Sequence, residues 1–487
     1  MSLYLGIDFG TSTNYIVQWD CDKKTIKEEP FGEYGDSNVV DNVIYYTTKE
    51  KALGTIAIKK SVADNPLNLV KHVKRQIEND NWTTYIPSIK RNMTSKDIAT
   101  DIFDEIRKKV ELNHGGESIE GVVISVPFAF LYKERKKIKQ SALDAGLKVI
   151  GMIEEPVAAA IRCLDYKNDL INDSKKKLMI FDLGGGTLDV TIFSCYKDSN
   201  NLNIEVLNTD GDKYLGGKDV TDYLVDYLLK SINLDISDIT DKNIKTEIMN
   251  ELNKVSEETK KEITEYGEYN IYTTINDSEI DIDMDEFEFE TILKNNGFVD
   301  RLKYVIEDSV YDADLELLDI DEILLVGGSS KLKIVKELIE DMFNKEPIEF
   351  DEPDRLVGEG AAIYCGNILE DGLKYKITSR LSQSIGREKD GKFYPMINKN
   401  SIYNTKSNIE WIFIGNRKKV VIDVYQGNTS DIKKCSKIGC IKVDIENIQQ
   451  DYIGLELILD KDGTVKYIIY VESDSLKKSI LKEGELD

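Results

Sequence analysis

The sequence predicts an α/β domain built from two similar halves, followed by a smaller all-β module. Three observations lead there. First, two apolar strands run into turns of one grammar: Gly6-Ile7-Asp8-Phe9-Gly10-Thr11-Ser12-Thr13, and Phe181-Asp182-Leu183-Gly184-Gly185-Gly186-Thr187-Leu188-Asp189. Second, strands and helices alternate through about residue 370. Third, short strands then follow one another, separated by turn signals such as Asp462-Gly463. A single glycine-rich turn is most often an ordinary hairpin. Two turns that share a grammar point to an internal duplication.

Taken in order, Leu3 to Phe9 reads as a buried strand and Tyr15 to Trp19 as its return. Gly121 to Val126 is a buried strand ended by Pro127, Lys133 to Ala145 a charged amphipathic helix closed by Gly146, and Lys148 to Ile153 another short strand. Pro156 suits a first helical turn, with Val157 to Leu164 as its helix. Leu178 to Cys195 is the second glycine hairpin, Gly211 to Gly217 a loop, and Asp219 to Ile232 a helix. Lys245 to Thr264 is a long charged helix, and the acidic run Ile271 to Phe289 alternates like strands. Helices are expected over Asp300 to Ser309, Leu332 to Phe343 and Gly358 to Leu369, with Glu322 to Val326 as a buried strand. The β module contributes Val420 to Tyr425, Gly439 to Val443, Leu455 to Leu459 and Val465 to Val471. Domain boundaries are expected at 1–370, a linker over 371–378, the β module over 379–474, and a charged tail over 475–487 that forms a helical turn or stays loose.

The two turns carry the chemistry. Each exposes backbone N–H groups able to hold phosphate oxygens, and each Asp can reach a hydrated divalent metal on those phosphates. Two such turns suggest a nucleotide clamped between two similar halves. The 64 basic and 89 acidic residues give a net charge of −25, which argues against nucleic-acid binding and favours solubility. Six cysteines (Cys21, Cys163, Cys195, Cys365, Cys435, Cys440) are scattered without a C-x-x-C pair, which fits a reducing compartment. With two histidines, His72 and His114, histidine-based acid–base catalysis or metal ligation is not expected, and both read as surface or satisfied residues. The chain enters a strand at once without a basic start, so no signal peptide is expected, and no segment approaches the roughly 20 apolar residues that span a bilayer. A cytoplasmic protein is expected.

In order along nearly the whole length, the chain resembles the DnaK-type chaperones of the heat-shock seventy family, within the actin-like ATPase superfamily. The resemblance is carried by GIDFGTST (6–13), VVISVPFAF (122–130), AGLKVIGMIEEPVAAAI (145–161), FDLGGGTLDVTIF (181–193), LGGKD (215–219), LLVGGSSKL (324–332) and GEGAAI (358–363). It implies a two-lobed actin-like, ribonuclease-H-like duplicated ATPase domain plus a small β-sandwich that binds peptide. It also implies slow ATP hydrolysis to ADP and phosphate, with Mg²⁺ and an optional K⁺. Asp8 and Asp182 would hold Mg²⁺ through water. Gly10, Thr11, Ser12, Thr13 and Gly184, Gly185, Gly186 and Thr187 would cradle the phosphates. Lys74 matches the lysine that orients the attacking water and the γ-phosphate, Glu155 the carboxylate near that water, and Thr187 the hydroxyl beside it. Gly216, Gly217, Glu257, Lys260, Lys261, Thr264, Gly327, Gly328, Ser329, Lys331 and Asp354 fall at nucleotide-binding positions, Glu257 and Lys260 facing the ribose. Taken alone, Lys74 on a basic helix reads as a solvated lysine, and Glu155 as a helix-start residue stabilised by the macrodipole. Pro127 and Arg135 match the pair that relays nucleotide state to the second domain. Val420 and Ile422 match the pocket for one apolar side chain, and Phe393 and Phe413 the arch over the peptide; such residues also build a sandwich core.

Four departures from the family stand out. The chain stops soon after the last β strand, so the helical lid and the disordered tail are expected to be missing, with fast peptide exchange and low affinity. The linker Gly372-Leu373-Lys374-Tyr375-Lys376-Ile377 carries lysines where the family has leucines, which weakens the expected interdomain coupling. Lys261 and Lys331 replace two arginines around the adenine; an ammonium stacks on a base less well than a guanidinium. Gly151 stands where bacterial members carry an arginine contacted by J-domain partners, which weighs against an ordinary J-protein. Expected partners are unfolded or extended peptide clients, a J-domain protein and a nucleotide exchange factor, with no nucleic acid and no membrane. The alternative is a nucleotide-gated scaffold or regulatory binding protein with little turnover. A filament-forming actin relative or sugar kinase is disfavoured by the β module and the Glu154–Ile161 segment.

Overall fold

The computed structural model describes residues 2–486 except 32–37, 168–173, 199–200, 277, 371–373, 416, 447, 449, 461–462 and 473–477. The chain divides into two compact units: residues 1–158, 196–208 and 358–487 form the first, and residues 159–195 and 209–357 the second.

The first unit is built on a sheet whose strands run Val149–Glu154, Ile119–Val126, Leu3–Phe9, Thr13–Asp20 and Thr25–Glu28 in spatial order. Leu3–Phe9 pairs antiparallel with its hairpin return and parallel with Ile119–Val126, setting Asp8 opposite both Tyr15 and Ser125. Ile119–Val126 is almost entirely buried, which explains its continuous apolar run. Helix Ser95–Asn113 covers this sheet. Thr94 and Asp97 cap it reciprocally, and Ile98, Ile102, Phe103, Ile106 and Val110 point into the core.

In the second unit, strand Lys176–Leu183 lies between its antiparallel return Leu188–Asp198 and the parallel strand Glu322–Val326. Helices Gly217–Ser231 and Lys242–Tyr266 pack together, and the latter packs on the hairpin Glu268–Ile275/Ser278–Asp285. The strand pattern expected to reach Phe289 ends at Asp285. Asp285 accepts a hydrogen bond from the Glu288 backbone N–H and starts helix Glu286–Asn295. The alternation there was coincidental with a helix face, and the cap decides the matter.

The β-sandwich falls in the first unit. One sheet orders Lys392–Ile397, Ile385–Lys389, Lys419–Gln426 and Ser436–Asp444. The other orders Thr405–Lys406, Tyr452–Leu459, Val465–Glu472 and Lys478–Glu485, with Glu410–Phe413 also pairing to Tyr452–Leu459. Residues 478–485, expected as a tail, are therefore a strand, paired from Lys466↔Glu485 to Glu472↔Lys478. Its side chains are nearly all exposed, so no apolar alternation marks it in the sequence. Of the expected linker, 371–373 lie outside the described residues. Tyr375–Thr378 is a strand running parallel to Leu202–Glu205. Strand alternation buries Tyr375 and turns Lys376 outward, so that lysine does not oppose pairing.

Candidate functional site

Each unit presents half of the predicted nucleotide machinery. In the first, Asp8 ends the Leu3–Phe9 strand. The parallel register brings Ser125 beside it, and the serine hydroxyl donates to Asp8 Oδ1 at 2.7 Å. The Gly10–Thr13 turn is fixed by buried Asn42, whose side-chain amide donates to the Gly10 carbonyl (2.5 Å) and whose backbone N–H donates to the Ser12 carbonyl (2.7 Å). Neither Ser125 nor Asn42 belongs to a glycine motif: the parallel register brings out Ser125, and the link between strands Val39–Asp41 and Val43–Tyr46 brings out Asn42.

Lys74 is on a single 3₁₀ turn rather than an α-helix. Its turn, Val73–Gln76, is entered through His72 in the left-handed conformation (φ 54°). The turn swings its ammonium inward to form an ion pair with Glu155 Oε1 at 2.5 Å, the two side chains only 7% and 9% exposed. Glu155 opens helix Glu155–Tyr166, where the helix dipole favours a carboxylate.

In the second unit, Asp182 is buried near the end of its strand. Gly327, at φ +80°, passes so close that a Cβ there would lie 2.5 Å from Asp182 Oδ1 and from the Leu183 carbonyl. The Gly184 N–H closes the glycine turn onto the Thr187 carbonyl at 3.0 Å. Gly217 and Lys218 then donate their N–H groups to Gly184 and Gly185 at 3.0 and 2.8 Å. A Cβ on Gly216 would stand 2.6 Å from the Gly186 nitrogen, so only glycine permits this approach. Lys260 donates to Glu257 (2.6 Å), the Gly217 carbonyl (3.1 Å) and Thr221 (3.2 Å), and Thr221 also donates to Glu257. Burial pushes the Glu257 carboxyl up, but Lys260 and the Thr221 hydroxyl outweigh it and hold it below its ordinary value. Burial lowers Lys260 despite Glu257. Ser329 joins this cluster, since a Cβ on Gly217 would lie 2.5 Å from its hydroxyl. Gly328 neighbours Asp354, which is exposed.

Three predicted residues lie at or beyond the edge of the cluster. The Thr264 hydroxyl donates to the Lys260 carbonyl within its own helix (2.6 Å). Lys261 is 71% exposed, its ammonium 3.6 Å from Glu257 Oε1. Lys331 is exposed and donates to the Asp351 carbonyl at 2.9 Å.

The predicted relay residues are buried. Pro127 accepts from the Phe130 N–H through its carbonyl at 3.1 Å. Arg135 donates to Glu154 Oε1 at 2.8 Å and to the Phe130 carbonyl at 3.1 Å. Glu154 also accepts from Tyr403 (3.0 Å) in the sandwich and from Ser379 (3.3 Å) at the linker's end. Sequence reasoning selected Glu155 and passed over its neighbour Glu154; the double acid Glu154-Glu155 was the available signal. A cavity of about 250 Å³ opens beside it, lined by Met152, Glu154, Tyr364, Ile377 and Tyr403 among others. Gly151 lies against helix Leu356–Leu369: a Cβ there would stand 2.7 Å from Ile368 Cδ1, so a longer side chain would have to displace the end of Ile368.

Of the predicted peptide-binding residues, Val420 and Ile422 belong to the sandwich core with Ile438 and Ile441, and Phe393 is buried in the same sheet. Phe413 is 58% exposed on the opposite sheet, edge-on to Tyr452 at 5.3 Å.

A family model described as Hsp70 protein matches residues 76–482. The chain is 31% identical over 443 residues to the chaperone protein DnaK of Ureaplasma parvum, covering 88% of this chain and 69% of that one. It is 31% identical over 480 residues to the DnaK of Cyanidium caldarium (91% and 74%), and 28% identical over 478 residues to that of Guillardia theta (91% and 73%). With buried Asp182, the glycine turns and the Lys74–Glu155 pair each formed at the motif positions, the chain belongs to the Hsp70 family.

Proposed function

We propose that this Hsp70-family chaperone binds and hydrolyses ATP with its two glycine-turn half-sites and holds extended peptide in its C-terminal sandwich. The observation that carries the reading is the buried Lys74–Glu155 ion pair. Glu155 holds and aims the Lys74 ammonium, and Lys74 offsets the charge of the Glu155 carboxylate away from bulk water. Phosphoryl transfer to water requires positioning and charge neutralisation rather than covalent catalysis. Lys74 would face the γ-phosphate, Glu155 would accept a hydrogen bond from the attacking water, and Thr187 would lie beside it. The N–H groups of the two turns would hold phosphate oxygens, a role for which the side-chain-free approach of Gly216 to Gly186 leaves room. Each unit supplies a hard oxygen ligand suited to holding Mg²⁺ through water: Asp8, steadied by Ser125, in the first, and buried Asp182 in the second. When bound, the ion neutralises phosphate charge.

The test is steady-state ATP hydrolysis with Mg²⁺, with and without an extended peptide, beside Lys74→Ala and Glu155→Gln. Each substitution is expected to cost on the order of 10²-fold or more in turnover while nucleotide binding persists. Wild-type rates in both variants would sink the assignment. The nucleotide-gated scaffold is favoured by one observation, the solvent-facing Lys261 at the predicted adenine position, and it expects binding without turnover above Lys74→Ala. A J-domain partner would have to use a side chain other than residue 151. The reading places the protein in the cytoplasm, in keeping with six free cysteines.

A further inference from the structure

The short turn that carries Lys74 has little support of its own. Its entry is unfavourable: His72 takes the left-handed conformation at φ 54°, which a residue other than glycine adopts at a cost. Inside it, the Arg75 N–H donates to the His72 carbonyl and the Ile77 N–H to the Lys74 carbonyl, both at 3.2 Å, the poorer geometry expected of a 3₁₀ turn. The exit is held from outside. Lys137, on helix Tyr132–Asp144, donates its ammonium to the carbonyl of Ile77, the residue that closes the turn, and to Asp80 Oδ1 at 3.0 Å. Lys133, one helical turn earlier, takes the other oxygen, Asp80 Oδ2. Ile77 is fully buried and the Lys137 side chain only 15% exposed, so water is a poor substitute for this donor.

We propose that Lys137, backed by Asp80, is a positioning residue for ATP hydrolysis: by holding the carbonyl end of the Val73–Gln76 turn, it aims the Lys74 ammonium. The inference rests on the hydrolysis reading above. Two further observations support it. Like charges four residues apart repel on a helix face, and Asp80, set between Lys133 and Lys137, offsets that repulsion while tying the face to the segment that leaves the turn. The Asp80 carboxyl, which burial would raise, is held below its ordinary value by hydrogen bonds from Lys133 and Lys137, so the bridge stays charged at neutral pH. The same helix sends Arg135 to Glu154, the neighbour of Glu155. One helix therefore reaches both ends of the Lys74–Glu155 pair, the acid through Glu154 and the lysine through Ile77. Loss of Lys137 displaces one ammonium and leaves the phosphate-holding N–H groups in place. It should slow the chemical step and spare nucleotide affinity.

The experiment measures single-turnover ATP hydrolysis with Mg²⁺, and the Kd for ATP, in the full chain. The variants are Lys137→Met, which keeps the apolar stem, Lys137→Arg, Asp80→Ala, Lys74→Ala and the double variant Lys74→Ala/Lys137→Met. Turnover in Lys137→Met is expected to fall on the order of tenfold while Kd stays within about twofold. Lys137→Arg, which keeps a cationic donor, should recover most of the rate. Asp80→Ala, at a side chain 46% exposed, should fall in the same direction by less. In the Lys74→Ala background, Lys137→Met should cost nothing further, because the ammonium it aims is gone. Wild-type turnover in Lys137→Met, or an equal further loss in the Lys74→Ala background, overturns the inference while leaving hydrolysis intact. If Lys137→Met does not fold, Asp80→Ala decides, and wild-type turnover there overturns the inference. A wild-type chain no faster than Lys74→Ala overturns the hydrolysis reading, and this inference with it.

Discussion

Three donors from distant parts of the chain share the carboxylate of Glu154: Arg135, Ser379 and Tyr403. Burial alone would raise this acid, but Arg135 and the hydrogen bonds outweigh burial and hold it below its ordinary value of 4.5. The sign of the pH effect follows. A carboxyl depressed in the folded state contributes its full stability above the ordinary value and loses it as pH falls from there through the folded value. Glu154→Gln would leave Arg135 as a buried cation short of its partner, a loss of about 3–5 kcal/mol at neutral pH. In denaturant unfolding, the gap between wild type and Glu154→Gln is expected to be wide at pH 7 and to close as pH drops below 4.5. A gap that stays constant into acid would contradict this account. Tyr403→Phe removes one donor only and should cost about 1 kcal/mol.

Among the elements, the Tyr375–Thr378 strand has the least local support and the most specific external support. Asn367 reads its backbone from helix Leu356–Leu369, donating to the Tyr375 carbonyl at 3.0 Å and accepting from the Tyr375 and Lys374 N–H groups at 3.1 and 3.3 Å. Asn367→Ala would strand these buried groups at about 1–3 kcal/mol. Amide exchange at 375–378 should then quicken at least tenfold; unchanged protection would show that the pairing to Leu202–Glu205 suffices without Asn367. This strand also marks the limit of what the sequence discloses. Elements with strong periodicity or glycine grammar, such as Ile119–Val126 and the two hairpins, are legible because burial on both faces or a tight turn constrains residue type. The strand at 478–485 and the turn at 73–76 were not legible. The first is an exposed edge whose hydrogen bonds need no apolar pattern, and the second is shaped by His72 in a backbone conformation that no motif advertises. The site divides the same way: glycines and acids at turns announce themselves, whereas Asn42, Ser125 and Glu154 act through register and long-range contact.

On the scale of the whole chain, the sandwich is integrated into the first unit rather than appended to it. Tyr132, the first residue of helix Tyr132–Asp144, is buried in the sandwich's own core cluster. Its hydroxyl donates to the Leu486 carbonyl at 2.6 Å, and its N–H donates to Gln426 at 3.1 Å. Lys136 reaches the same Leu486 carbonyl at 2.8 Å, and Arg380 donates to Val206 and Glu205, both at 2.7 Å. Apolar burial, neutral hydrogen bonds and an ion pair therefore cooperate at one junction, and cooperative unfolding follows where such contacts are dense. Tyr132→Ala deletes the buried ring at about 3–5 kcal/mol. Calorimetry is expected to resolve a separate, earlier transition for the sandwich in this variant, where the wild type melts the sandwich together with residues 1–158. Tyr132→Phe, which keeps the ring and loses only the hydroxyl, should shift the midpoint slightly without splitting the transition. If Tyr132→Ala melts as the wild type does, the ring contact is incidental, and the remaining links through Lys136, Glu154, Arg380 and the strand Tyr375–Thr378 suffice to hold the sandwich to the rest of the first unit.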